Sequence, residues 1–119
     1  MYSSQLLDHF QNPRNVGELA AADATAEIEN PACGDVLRLT LRIGEGRINE
    51  AQFKAKGCVA AIACGSALTE LIVGKTLNEV KNLRREDVIV AVGGLPQAST
   101  HAAQLALDVL SLALSRITP

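Results

Sequence analysis

The spacing of apolar residues changes at Cys58 from that of a strand to that of a helix, and this change constrains the fold more than any other feature. Before it, apolar side chains fall at every second position of one segment: Leu37, Leu39, Leu41 and Ile43. A period of two predicts a half-buried β-strand. After Cys58 the apolar residues recur with the period of an α-helix. The sequence therefore predicts a small sheet followed by helices.

The segment before Cys58 predicts an antiparallel hairpin. A glycine-rich turn at 44–46 follows the first strand, and residues 48–56 then run back with Ala51, Phe53 and Ala55 facing inward. The chain is also expected to be extended from about Ala24. Together these segments predict a three-stranded antiparallel sheet.

The remaining segments predict helices that pack on one face of that sheet. A short helix occupies the first dozen residues, and Pro13 ends it. The helix after Cys58 is expected to end at Gly74, and Thr76 with Glu79 forms a capping box that opens the next one. Residues 85–92 predict a further helix, 93–96 a break, and the last helix begins near Thr100. The expected fold is a single α+β domain over residues 1–119.

The last helix is expected to bury one apolar stripe. Its members are spaced three or four residues apart: Ala103, Leu107, Leu110, Leu114 and Ile117.

Composition excludes several classes of function. The net charge of −2 does not suit a nucleic-acid surface, which needs a basic excess. The longest uncharged stretch, 57–69, is too short to cross a bilayer, and no signal peptide is expected. Three cysteines cannot form a complete disulfide framework, so we expect reduced thiols in a cytoplasmic protein.

Two cysteines lie in local sequences that suit a metal-binding thiolate. Cys33 follows Pro31, and Cys58 sits between a predicted strand and a predicted helix. Asp35 and His101 offer a carboxylate and an imidazole. Thiolate, carboxylate and imidazole are ligands that zinc and iron accept.

Each candidate also has a simpler interpretation. A free cysteine is often a small buried hydrophobe, and Cys64 is interpreted in this way because it lies on the apolar stripe of its helix. Asp35 is compatible with an ordinary turn, and His101 with a solvated helix surface. His9 is interpreted as a surface partner of Asp8. There is no Cys-x-x-Cys pair and no dinucleotide fingerprint, which argues against an oxidoreductase.

Several multi-residue motifs occur in the order seen in one known family. They are Asp-His-Phe at 8–10, Asn-Pro-Arg-Asn-Val-Gly at 12–17, Pro-Ala-Cys-Gly-Asp at 31–35, Phe-Lys at 53–54, Gly-Cys at 57–58, Gly-Lys-Thr-Leu at 74–77 and Leu-Pro at 95–96. With these motifs the chain resembles the IscU/NifU-type iron–sulfur cluster assembly scaffold proteins along almost its whole length.

The resemblance implies a carrier with no catalytic turnover. Scaffolds of this type receive sulfur from a cysteine desulfurase, build a labile 2Fe–2S cluster on three cysteines and a fourth ligand, and pass it to acceptor proteins. Cys33 and Asp35 match the family's first ligand cysteine and its nearby aspartate. Cys58 matches the second cysteine, and His101 the histidine of the third motif.

The chain departs from the family at the third motif. The family reads Leu-Pro-Pro-Val-Lys-Ile-His-Cys there, whereas this chain has Ala102 in place of the cysteine. The Pro-Val-Lys portion, which recruits a dedicated chaperone in some members, is also replaced, so the resemblance does not support that partner.

Two alternatives to the scaffold remain open. One is a zinc- or iron-binding structural module that uses Cys33, Asp35, Cys58 and His101, since four such ligands satisfy Zn²⁺ or Fe²⁺ without a third cysteine. The other is a sulfur-accepting partner of a cysteine desulfurase that holds no cluster of its own.

Overall fold

A three-stranded antiparallel sheet forms the centre of the computed structural model, which describes residues 2–31 and 33–117. Its strands are β1 (Ala24–Glu29), β2 (Val36–Gly44) and β3 (Arg47–Lys56), in the spatial order β1-β2-β3. Glu45 and Gly46 both have positive φ and turn the chain tightly between β2 and β3. The predicted sheet is confirmed.

The described helices lie where the sequence places them. They are α1 (Ser4–Gln11), α2 (Val59–Ile72), α3 (Leu77–Lys81), α4 (Arg85–Ala91) and α5 (Thr100–Ser115), with a 3₁₀ turn at Gln97–Ser99. Thr76 and Glu79 form the expected capping box at the start of α3. Gly74, with φ of +87°, follows the last residue of α2 in the left-handed conformation that ends helices. Across the described part of the chain, each helix is too short or too polar to span a bilayer.

One face of the sheet carries the core. Leu37, Leu39 and Leu41 are buried, and α2 and α5 pack over them. Ile43 also packs against this core but is only partly buried, near the register shift between β2 and β3 that follows Arg42. The helices therefore cover a single face, as in an α+β domain.

The buried face of α5 differs from the predicted stripe. Leu107 and Leu114 are only partly buried, whereas the fully covered positions are mostly small: Ala102, Ala103, Leu105, Ala106, Val109, Leu110 and Ala113. Alanine lets the helix axis approach the sheet and α2 closely, so small residues form the contact face. Ala103 and Leu110 of the predicted stripe are buried, whereas Leu107, Leu114 and Ile117 pack against the core at its margin and stay partly exposed.

Gly65 lets α2 approach the sheet. A Cβ built at this position would lie 2.7 Å from Phe53 Cδ2 and 3.0 Å from Leu37 Cδ1. Phe53 is buried, so its ring has little room to move. A glycine inside a helix is normally unfavourable, and here close packing against the sheet explains it.

We expect Gly65→Ala to destabilise the protein by about 1–3 kcal/mol, because overpacking outweighs the better helix propensity of alanine. Urea unfolding of the two proteins, with equal m-values, measures the difference. A variant as stable as the wild type would show that Phe53 repacks at no cost.

His9 is part of a buried polar network and not a surface residue. Its side chain lies on α1 with 7 % of the residue exposed, and its Nδ1 is 2.7 Å from Ser66 Oγ on α2. The backbone N–H of Arg14 donates to the same Oγ at 2.9 Å. Thr69 adds a contact between its Oγ1 and the Arg14 carbonyl oxygen at 3.4 Å. The network fastens the segment after α1 to the middle of α2.

The Glu70 carboxylate indicates which nitrogen of the neutral His9 ring carries the proton. Its Oε1 lies 3.5 Å from Nε2 and can only accept, which favours the N–H on Nε2. Nδ1 is then an acceptor for the Ser66 hydroxyl, whose oxygen also accepts the Arg14 amide. Burial lowers the pKa of His9, and the Arg14 charge lowers it further, while Glu70 and Asp8 act in the opposite direction.

A lowered pKa makes stability depend on pH. The unfolded chain takes up the His9 proton more readily than the folded chain, so this contribution is complete above about pH 6.5 and is lost as the pH falls. We expect the free energy of unfolding to decrease between pH 7 and 5, and to decrease less in His9→Gln. Urea unfolding at several pH values tests this; an equal decrease in both proteins would contradict it.

Candidate metal site

The site is built around Asp35, which immediately precedes β2. In the hairpin, Val36 at the start of β2 pairs with Lys56 at the end of β3. The residues just beyond this pair, Asp35 on one strand and Gly57–Cys58 on the other, must therefore lie side by side. Asp35 is 3 % exposed although it carries a carboxyl group.

The Asp35 carboxyl group is held by several donors. Its Oδ1 accepts the backbone N–H of Cys58 at 3.0 Å, and its Oδ2 accepts the Cys58 thiol at 3.2 Å. Burial disfavours the ionised carboxylate, but hydrogen bonds from the thiols of Cys33 and Cys58, together with the charge of His101, outweigh it. The pKa of Asp35 lies below its usual value as a result.

Cys58 is the N-cap residue of α2. Its Sγ accepts the backbone N–H of Ala61 at 3.4 Å, a bond that would also stabilise a thiolate. Burial acts more strongly and raises the pKa of Cys58, and the adjacent Asp35 raises it further. In the metal-free site Cys58 is thus a thiol that donates its proton toward an ionised Asp35.

Cys33 lies in the short loop between β1 and β2. The backbone N–H of Gly34 donates to the Asn30 carbonyl oxygen, and the N–H of Asn30 donates to that of Asp35, both at 2.7 Å. These bonds close the loop and keep Cys33 on the surface beside Asp35. Both cysteines therefore lie beside one carboxyl group at the open end of the hairpin, Cys33 before β2 and Cys58 after β3.

His101 enters the site from the first turn of α5. Its Nε2 is 3.7 Å from Asp35 Oδ2, and the imidazole is 40 % exposed. Its Nδ1 is 3.1 Å from the carbonyl oxygen of Ala98. A carbonyl can only accept, so Nδ1 carries the proton, and in the neutral ring the lone pair of Nε2 faces the carboxylate. Two facing acceptors are an arrangement that a proton, a metal ion or a donating water molecule can bridge.

The geometry fits one tetrahedral metal ion. Ligand atoms of Cys33, Asp35 and His101 all lie within 4.8 Å of one another. In a tetrahedral zinc site, bonds of 2.0–2.3 Å place neighbouring ligand atoms about 3.3–3.8 Å apart. The group therefore needs to contract by about 1 Å. Cys58 lies outside this group of three but contacts Asp35, so a fourth potential ligand is adjacent.

Cys64 and Ala102 lie in the core. Cys64 is fully buried, and burial raises its pKa to about 12, as expected for a thiol that acts as a hydrophobe. Ala102, where the IscU/NifU pattern has a cysteine, is also fully buried. Neither residue belongs to the group of three potential ligands.

Comparison with known proteins identifies the family. The NifU-like N terminal domain matches residues 1–118. The chain belongs to this family. It is 43 % identical over 114 residues to the iron–sulfur cluster assembly scaffold protein IscU 1 of Archaeoglobus fulgidus, covering 96 % of this chain and 74 % of the relative. It is 40 % identical over 117 residues to the scaffold protein IscU of Azotobacter vinelandii, covering 95 % and 91 %.

A solved structure supports the fold. The N-terminal NifU-like protein from Brucella abortus superposes with a TM-score of 0.79 at 19 % identity, over 97 % of this chain and 92 % of that chain. At this identity the similarity concerns the fold alone.

We expect Cys64→Ala to leave the metal content of the purified protein unchanged and to cost on the order of 1 kcal/mol of stability, because one small buried group is removed. The matched control, His101→Ala, should lower metal affinity. Elemental analysis of the purified proteins measures their metal content, and urea unfolding measures their stability. Loss of metal from Cys64→Ala alone would assign this cysteine to the site.

Proposed function

We propose that this protein is a scaffold for iron–sulfur cluster assembly, which takes sulfur from a cysteine desulfurase, holds iron or a labile 2Fe–2S cluster, and delivers it to acceptor proteins. The observation that carries the proposal is the group formed by Cys33, Asp35 and His101, with Cys58 adjacent, in a chain of this family. The cluster is cargo in this proposal, and the protein is a carrier without turnover.

The position of the site supports a transfer function. Cys33 is exposed, Cys58 is half-buried and the His101 ring is partly exposed, so cargo bound among them would face a partner protein. Thiolates bind iron and can carry a transferred sulfur atom. The carboxylate and imidazole are weaker ligands for a cluster than thiolates are, which favours release over permanent storage.

The second candidate is a structural zinc module, favoured by the alanine at 102. With Cys33, Asp35, Cys58 and His101 the chain supplies the four ligands of a closed tetrahedral site. A 2Fe–2S cluster normally prefers thiolates, and here only two are adjacent to the site.

An anaerobic reconstitution separates the two functions. The metal-free protein is incubated with Fe³⁺ and a sulfide source, desalted, and examined by absorption spectroscopy and by iron and sulfide analysis, and zinc is measured in the protein as purified. A scaffold turns brown, with charge-transfer bands and equal iron and sulfide. A protein that stays colourless after this treatment, and that contains only zinc as purified, would contradict the scaffold proposal and support the structural module.

We expect Ala102→Cys to raise the amount of reconstituted cluster, because it restores a third thiol next to His101. Ala103→Cys is the matched control, since it adds a thiol at the next position of the same helix, which is equally buried. Cluster yield after desalting is the measurement. If the wild type already holds as much cluster as Ala102→Cys, the missing thiol does not limit binding; equal gains in both variants would attribute the effect to any added thiol.

A further inference from the structure

Gly57 occupies the position where the two ends of the hairpin meet. Its φ is +138°, a conformation that L-residues rarely adopt. A Cβ built on Gly57 would lie 2.0 Å from Asp35 Oδ1, 2.7 Å from its Cγ and 3.0 Å from its Cα. The Asp35 carboxyl group thus fills the space that a side chain at position 57 would need.

The lack of a side chain at Gly57 determines how the Asp35 carboxyl group is oriented. Because Oδ1 sits against Gly57, it reaches the backbone N–H of Cys58 at 3.0 Å. Oδ2 is then the oxygen that faces the Cys58 thiol at 3.2 Å and His101 Nε2 at 3.7 Å. With Oδ1 held on the backbone, Oδ2 is the oxygen that faces the other potential ligands.

We propose that Gly57 is a positioning residue for the metal site, which acts through Asp35 by seating Oδ1 on the Cys58 amide and presenting Oδ2 as a single-oxygen ligand. The metal-binding part of this inference rests on the proposed function, whereas the orientation of Asp35 is a property of the metal-free protein. Groups that orient a ligand typically change metal affinity by about 10- to 100-fold when they are altered.

The affinity test titrates the metal-free protein with Co²⁺. Binding is monitored by the charge-transfer absorbance between thiolate and Co²⁺. We expect Gly57→Ala to weaken Co²⁺ binding by about 10- to 100-fold. The control is Gly74→Ala at the other end of α2, where φ is +87° and no atom lies within 4 Å of a built Cβ. It imposes backbone strain without a collision and should leave the affinity within about twofold of the wild type.

A double-mutant cycle with Asp35→Ala separates positioning from general disruption. If Gly57 acts through Asp35, then adding Gly57→Ala to Asp35→Ala should change Co²⁺ affinity by less than about twofold. If Gly57→Ala lowers Co²⁺ affinity by the same factor in the wild type and in Asp35→Ala, the proposal is overturned. If Gly57→Ala does not fold, the double variant should fold, because the carboxyl group that collides is gone; failure of both to fold would overturn the positioning role.

A second readout needs no metal. Hydrogen exchange of the Cys58 amide, measured by NMR in the metal-free protein, should be faster in Gly57→Ala than in the wild type and similar to that in Asp35→Ala. Gly74→Ala should leave it unchanged. An amide equally protected in Gly57→Ala would overturn the inference. A wild type that binds no Co²⁺ would instead contradict the proposed function, and the exchange result would still decide the role of Gly57.

Discussion

One buried carboxyl group joins three parts of the chain that are distant in sequence. Asp35 accepts the amide and thiol of Cys58 at the start of α2, and its other neighbour is His101 at the start of α5. A carboxylate this buried is stable only when donors surround it. The register of the hairpin places Asp35 beside Gly57, and this brings the first donor, the Cys58 amide, to the carboxyl group. The site is therefore a direct consequence of how β2 pairs with β3.

Much of the fold was predictable because its signals are local. The alternation of Leu37, Leu39 and Leu41, the Thr76 capping box and Gly74 each depend on a few adjacent residues, and each is confirmed. The buried face of α5 was not predictable in the same way. Which side of a helix approaches a sheet depends on how closely the two surfaces can pack, and here alanines such as Ala106 decide it. The hydrophobicity of single residues does not contain that information.

The hydrogen-bond partners of buried polar residues were also not predictable from the local sequence. His9 next to Asp8 resembles an ordinary surface pair, and its partner Ser66 is far away in the sequence. A weak signal existed, since Ser66 is a polar residue inside the uncharged and deeply buried part of α2 that precedes Glu70. Such a residue must find a hydrogen-bond partner. At the site the sequence indicated the types of ligand, but the central position of Asp35 follows from tertiary structure, and its ligand role remains a prediction.

Cys58 has two roles in the metal-free protein, and metal binding affects them differently. Its Sγ accepts the Ala61 amide at the start of α2 and donates its proton to Asp35 Oδ2. A metal ion takes thiolate, so it must displace that proton, whereas the bond from Ala61 can persist and becomes stronger when the sulfur is charged. In the proposed site the cation would then occupy the place of the proton between sulfur and carboxylate, and α2 would keep its cap. Binding and release would therefore exchange a metal ion for the protons of the Cys58 and Cys33 thiols, without requiring the helix to unfold.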